Sequence, residues 1–557
     1  MFRSAPRSAL GIVLLLAIPP LIWGQTWGLP SRASDPFLFG AQIPWPGAKI
    51  LALAGGWQPD PTRGADVAAH PLDQRRRAVI INDTDEKRAK ILLRYRLYSN
   101  QPDEMITFRA LAGMRPGTGP RGGLDPQMYQ YGGLWIYPVG VLLKLSPVTI
   151  RRDISFYLDH PEAFGRFYVV ARLYSAFWGW VGVGIVFLIV RRICGGWGFP
   201  MAAAGLFSLL PVVVDLSHEA KPHLAGAVLT LAAALAGSIY VETGRPGAAW
   251  LAGALCGAAT GMVLSAYACF LILAAIVLLR RPALATAIKA TALGVAVYFL
   301  TNPYVAINLI CNREVLRSNL GNSAAMYQAG ASGSALGGAM MLIGCGAGVV
   351  VAIGGVIGAG LLGFRAVKMR RSTQFPEVRR RSMGVLLAVP AIWIFIQFVA
   401  FANGKPGEYG RFGLYVDIVL AIEAVVAIQT FARQAALRAL LLIVVLESSA
   451  LSVAQYLAGF ASDASASSTR LITAARLAEL NHDGEQRLVV ADEPAPYCLP
   501  PVDLFTWQIE LVGRGESIAE SATHDNVSVQ PVEQFGWNAT PLSWAAKRFE
   551  IHDAIHD

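Results

Sequence analysis

Apolar residues along this chain gather into long blocks, separated by short turns rich in polar residues, Gly or Pro. The blocks run for roughly 17–25 residues, the length a helix needs to cross about 30 Å of hydrocarbon. Backbone N–H and C=O groups find no water there, so each block is expected to be a helix that satisfies its own hydrogen bonds. Eleven spans are predicted, at 9–26, 167–190, 198–216, 222–241, 247–263, 264–279, 284–302, 338–364, 382–402, 411–430 and 436–458. The pair 247–263 and 264–279 has almost no polar turn between its members. Arg3 and Arg7 precede the first block as they would in a secretory signal. Ile22–Trp27 lacks a small-residue cleavage pattern, however, so the block reads as an uncleaved anchor.

These blocks divide the chain into an anchor (1–26), a first outer segment (27–166), a transmembrane bundle (167–458) and a tail (459–557). The first outer segment opens on the loop Trp57–Gly64 and continues into a charged helical stretch, Thr84–Ser99, with an N-cap residue at its start. Tyr131–Leu145 is apolar but carries Gly132, Gly133, Pro138 and Lys144, and reads as a helix along the outer membrane surface. Small residues in the bundle, such as Gly344, Gly346, Gly354 and Gly358, permit close helix approach in lipid. No transporter-like internal repeat is visible. The tail starts with the Ser-rich linker Ser462–Thr469, followed by a helix at Leu471–Leu480, a strand at Arg487–Ala491 and a turn at Asp492–Pro496. It resembles a small α/β outer domain. The fold expected is an all-α polytopic membrane bundle with juxtamembrane helices in a long first loop and this C-terminal domain.

Composition agrees: 54% of the 557 residues are hydrophobic and 15% charged, with a mean hydropathy of +0.46, more apolar than a soluble chain. The net charge of +10 is unevenly placed. With the N-terminus inside, the short inner loops hold 16 basic residues between Arg3 and Arg438. The short outer loops hold five, namely Lys221, Arg313, Arg317, Lys405 and Arg411. This asymmetry puts the N-terminus in the cytoplasm and the tail on the far side. No basic run with interleaved aromatics points to nucleic acid. Of the six cysteines, Cys194, Cys256, Cys269 and Cys345 fall in or beside spans. Cys311 and Cys498 lie outside, either as a disulfide or as two unrelated residues. Asn82-Asp-Thr84 and Asn538-Ala-Thr540 match the N-glycosylation triplet.

Three clusters of ionisable residues fall on the predicted outer side. In Pro102-Asp103-Glu104, two adjacent carboxylates point different ways, so that one can face a pocket as a general base while the other anchors the loop. A solvated helix cap is the plainer reading. Ser217–His223 puts four ionisable side chains at a membrane boundary, where they are expensive to hold. His218, Glu219 and His223 could ligate a divalent metal and Lys221 a phosphate; mutual pairing and snorkelling is the alternative. Asn403–Arg411 carries Lys405 and Arg411 on a Gly-rich turn that suits a lipid-linked phosphate, or ordinary headgroups.

These residues, with Asp125-Pro-Gln-Met-Tyr-Gln-Tyr131, Tyr137-Pro138, Ala171-Arg172-Leu-Tyr-Ser175, Leu216-Ser-His218, Asn302-Pro303-Tyr304 and the Arg411 loop, resemble the GT-C glycosyltransferases. The likeness is nearest to their protein mannosyltransferase and aminoarabinose transferase branch and spans most of residues 95–430. It implies transfer of a sugar from a polyprenyl-phosphate donor to a lipid, glycan or protein acceptor on the outer face, with inversion at the anomeric carbon. By that resemblance Asp103 is the base, with Glu104 as its neighbour. Lys405, Arg411 and Lys221 are the donor-phosphate residues, and His218, Glu219, His223 and Tyr131 are the substrate or acceptor contacts. The chain departs from the family pattern at Pro222-His223, where relatives carry an aspartate, and at Leu264–Tyr267, where they carry a lysine. Its insertion at 27–95 is also long. A transporter or flippase of lipid-linked saccharides is the alternative, and it would need ionisable groups such as Asp417, Glu423 and Glu447 within the membrane. A non-catalytic sensor would explain the tail but not the first-loop acids.

Overall fold

The computed structural model describes residues 5–58, 79–117, 123–280, 283–326, 333–368, 375–401, 410–464, 468–480, 486–491, 500–512, 526–532 and 548–553. Lys405, Cys498, the turn at Asp492–Pro496 and Asn538–Thr540 lie outside them. Seven helices among the described residues are long and apolar enough to cross a membrane, and the bent pair Gly198–Ser208 and Pro211–Ser217 makes an eighth. The chain is an integral, predominantly α-helical membrane protein.

Several predicted spans are interrupted. The block 198–216 bends by 57° where Pro211 opens its second helix, since proline cannot donate the bond that would continue the first. The block 338–364 is two helices, Gly333–Ala347 and Val349–Lys368, separated by Gly348 at φ +82°, a conformation open to glycine. Leu264–Phe270 is 3-10 helix and only Leu271–Leu279 is α-helical. The first block breaks between Ala5–Leu16 and Ile18–Ile22. Part of the run near 337–360 packs closely as expected: a methyl group on Gly355 would lie 2.5 Å from the Leu420 carbonyl oxygen, and one on Gly358 2.8 Å from that of Glu423. Another glycine pair brings two helices closer still. A methyl group on Gly253 would lie 2.0 Å from the Ala290 carbonyl oxygen, and one on Gly257 would lie 2.1 Å from that of Gly294. The helices Pro246–Met262 and Leu284–Thr301 therefore meet backbone to backbone.

Charge marks the two ends of the bundle. Glu242, near the end of the helix His223–Thr243, is clamped by Arg192 and Arg379 from two other helices. Arg380 donates to the Ile193 carbonyl at 3.2 Å, and Arg365 pairs with Glu377 at 2.7 Å. His223 opens the same 21-residue helix, about 30 Å away at 1.5 Å per residue.

A five-stranded sheet has the order β1-β3-β2-β4-β5. The strands are β1 (Val79–Ile80), β2 (Gln486–Ala491), β3 (Trp507–Val512), β4 (Asn526–Val532) and β5 (Arg548–Asp553). The three inner strands are parallel, and β1 joins β3 antiparallel, with Val79 opposite Leu511. The first outer segment and the tail thus share one sheet. Asn82 fixes that junction: its amide donates to the Leu504 and Trp507 carbonyls, and its side-chain oxygen accepts from Ile509 N–H at 2.8 Å. Asn82 is buried, so in the folded protein its side chain serves this junction.

Candidate active site

The site is built on the turn between Ser217 and His223, which is neither helix nor strand and yet lies inside the protein. Each of its carbonyls needs a partner there. Gln25 donates to the Ser217 carbonyl (3.0 Å), Trp27 to that of His218 (2.9 Å), and Ser175 to that of Glu219 (2.6 Å). Held in this way, the turn delivers Glu219 and Lys221 to a fixed position.

The 3-10 turn Pro102–Glu104 comes against it from the first outer segment. Its N-cap Gln101 accepts from Asp103 N–H (3.3 Å) and donates to the Glu219 carboxylate (2.8 Å). Glu104 is fully buried and takes the Arg172 guanidinium in two parallel bonds of 2.8 and 2.7 Å. The same carboxylate accepts from Ala220 N–H at 2.6 Å and from the Ser99 hydroxyl. Arg172 in turn donates to the Gln25 and Trp27 carbonyls at 2.8 and 2.7 Å. The pair therefore locks the anchor's exit, the helix Pro161–Cys194 and the Lys221 turn together.

Asp103 faces the other way. Its carboxylate lies 3.0 Å from Arg411 and 3.5 Å from Lys221, and a third of its side chain is exposed, whereas Lys221 is 1% exposed. Lys221 also pairs with Glu219 at 3.1 Å. Burial raises the Asp103 carboxyl, but Arg411, Lys221 and His223 outweigh it and hold the group below its usual range. Arg411 comes from the turn Gly410–Gly413, which opens the helix Leu414–Phe431. The carboxylate and two cations, far apart in sequence, form one centre.

Tyr131 is positioned by a short bridge to Val263, with Gly132 N–H on the Met262 carbonyl and Leu264 N–H on that of Gln130. Burial, and then the nearby Asp103 charge, keep its phenol well above the ordinary value, so it stays a proton donor. The His223 ring stands edge-on between Tyr131 and Phe412, with centroids 5.8 and 5.7 Å away. It lines an open cleft together with Thr230, Ser265, Gln397, Phe398 and Arg411.

The proposed metal set does not assemble. His218 turns from the centre: its Nδ1 is 2.7 Å from the Val214 carbonyl, its Nε2 is 2.7 Å from that of Trp23, and its ring stacks on Phe460. No group of three His, Cys, Asp or Glu able to hold a metal occurs among the described residues. Reading the sequence missed Gln25, Trp27, Gln101, Arg172 as the partner of Glu104, and Ser175. Of these only Arg172 and Ser175 stood in a quoted motif, and nothing in one chain's spacing ties Gln25 or Gln101 to residue 219.

Fold and centre together define a polytopic helical membrane protein with a carboxylate held between two cations at one end of its bundle. No protein-family model matches the chain, and no curated protein does. Among solved structures it is similar to ArnT from Cupriavidus metallidurans bound to undecaprenyl phosphate, at 14% identity over 95% of this chain and 93% of that one, with a TM-score of 0.46. The archaeal oligosaccharyltransferase AglB from Archaeoglobus fulgidus, in complex with an inhibitory peptide and a dolichol-phosphate, shows 13% identity over 87% and 69%, with a TM-score of 0.39.

Proposed function

We propose that this protein is a membrane glycosyltransferase of the GT-C kind. In this reading it moves a sugar from a polyprenyl-phosphate donor to an acceptor on the outer face and inverts the anomeric carbon. The observation that carries the reading is the Asp103 carboxylate, partly exposed and in contact with both Arg411 and Lys221. A phosphate leaving group needs cations to receive its charge, and an acceptor hydroxyl needs a base within hydrogen-bond reach. One centre supplies both.

The same geometry supports an exchange of anions. Without donor, Asp103 is the counter-ion of Arg411 and Lys221. A donor phosphate would take those cations over, and Asp103, losing them and gaining a negative neighbour, would become a stronger base when the acceptor hydroxyl must be deprotonated. Lys405 is proposed as a further phosphate contact. The eleven-span topology, the cytoplasmic N-terminus and the extracytoplasmic 459–557 domain belong to the same proposal and rest on the charge asymmetry of the loops.

The test is transfer itself: membranes containing the protein are incubated with undecaprenyl-phosphate hexose labelled in the sugar. The reading requires label to leave the prenyl fraction, and to stay there with Asp103→Asn. A second reading, a carrier of lipid-linked saccharide, is favoured by Asp417, which is buried in a spanning helix with no hydrogen-bond partner for either oxygen among the described residues. Lipid movement across sealed vesicles without sugar transfer would select it.

A further inference from the structure

The cleft beyond Arg411 has walls of two kinds. Ala227, Val263, Ala266 and Ile394 are apolar, while His223, Thr230, Ser265, Gln397 and Arg411 carry hydrogen-bonding groups. A prenyl chain would leave the ring nitrogen of His223 unpaired, whereas a sugar ring offers apolar C–H faces and a rim of hydroxyls. His223 is the sharpest case. It is 8% exposed, its ring is fixed between Tyr131 and Phe412, and its Nδ1 has no hydrogen-bond partner among the described residues. A buried ring nitrogen without a partner is costly, and native structures rarely keep one without a use. Neighbouring polar groups in the cleft are already engaged: Thr230 donates to the Gly226 carbonyl at 2.9 Å, and Gln397 donates to the Tyr267 hydroxyl.

We infer that His223 reads a hydroxyl of the transferred sugar, whose ring occupies the cleft between His223, Gln397 and Phe398 while the phosphate is held at Arg411. A hydroxyl both donates and accepts, so it satisfies Nδ1 in either tautomer. The inference rests on the donor reading above and adds to it the residue that selects the sugar. His223 acts here by binding and orientation.

The test separates sugar from phosphate. Binding of undecaprenyl phosphate, undecaprenyl-phosphate mannose and undecaprenyl-phosphate glucose is measured on the full-length protein in detergent, for the wild type, His223→Phe and His223→Asn. His223→Phe keeps the ring between Tyr131 and Phe412 and removes the nitrogens; His223→Asn restores an amide near Nδ1. The expected result is that the wild type binds at least one sugar lipid more tightly than the bare lipid. His223→Phe loses about tenfold on that sugar lipid, the worth of one buried hydrogen bond, and nothing on the bare lipid, while His223→Asn recovers part of the loss. Equal losses on all three lipids, no loss on any, or a wild type that binds neither sugar lipid more tightly than the bare one would each overturn the inference. Failure of the phosphate reading would look different: Arg411→Ala would then leave the affinity for bare undecaprenyl phosphate unchanged.

Discussion

Asp103 and Glu104 are consecutive in the chain and face opposite ways: Glu104 is sealed against Arg172 with no exposure, while Asp103 reaches Arg411 at the edge of open space. A 3-10 turn, with three residues per turn, sends neighbouring side chains about 120° apart. One carboxylate can thus hold the turn in place while the next stays available for chemistry.

Replacing Asp103 by Asn is expected to lower sugar transfer by about 10²–10⁴-fold, the usual worth of a positioned general base. The side chain is partly exposed, so the melting temperature in detergent should stay near wild type. Turnover of labelled donor by the variant at an undiminished rate would remove Asp103 from the role of base.

Glu104→Gln should behave in the opposite sense, as a fold defect. It leaves the Arg172 charge buried and unpaired, which costs about 3–5 kcal/mol. Thermal unfolding in detergent should show it, and Arg172→Gln added on top should cost less than the sum of the two single changes. Additive losses would mean the pair is not coupled.

Arg411→Gln removes the nearer of the two cations that contact Asp103. Arg411, Lys221 and His223 hold the Asp103 carboxyl below its usual range in the free protein, and its pKa should rise in the variant. A base works when deprotonated, so the acid limb of kcat/KM against pH should move to higher pH as donor affinity falls. A shifted KM with an unmoved acid limb would separate Arg411 from Asp103.

Asn82→Ala should take their Asn82 partner from the Trp507 carbonyl and the Ile509 N–H, while the Leu504 carbonyl keeps Arg88 at 3.0 Å, and cost about 1–3 kcal/mol. Intact mass of the folded protein should show residue 82 unmodified. A glycan there would contradict its burial.

Gly257→Val tests the backbone contact of two spans. The added carbons would meet the Gly294 carbonyl, so the helices must separate, and the melting temperature should fall while residues around Asp103 keep their donor affinity. A variant as stable as wild type would show that the helices have room to move.

Hydropathy alone located the bundle, because lipid demands long apolar helices whatever the sequence details. It did not locate breaks, because Gly348 and Pro211 are apolar in context and act through backbone conformation and missing donors. The separation of roles between Asp103 and Glu104 could be argued from adjacency. The partners could not: Arg172, Gln25 and Gln101 meet the site through folding, and one sequence holds no record of which distant residues touch. The assignment of His218 and His223 to a shared metal failed for a related reason. Five residues apart, on either side of a turn, they point into different surroundings, one toward Phe460 and one toward Phe412.

The junction at Asn82 has a bearing on biogenesis. Asn82 and Trp507 are 425 residues apart, with the whole bundle threaded between them. That junction therefore stays open until ribosomes have released nearly everything, and premature stop codons upstream of β3 should yield membrane-inserted chains with β1 left unpaired, exposed to quality-control proteases.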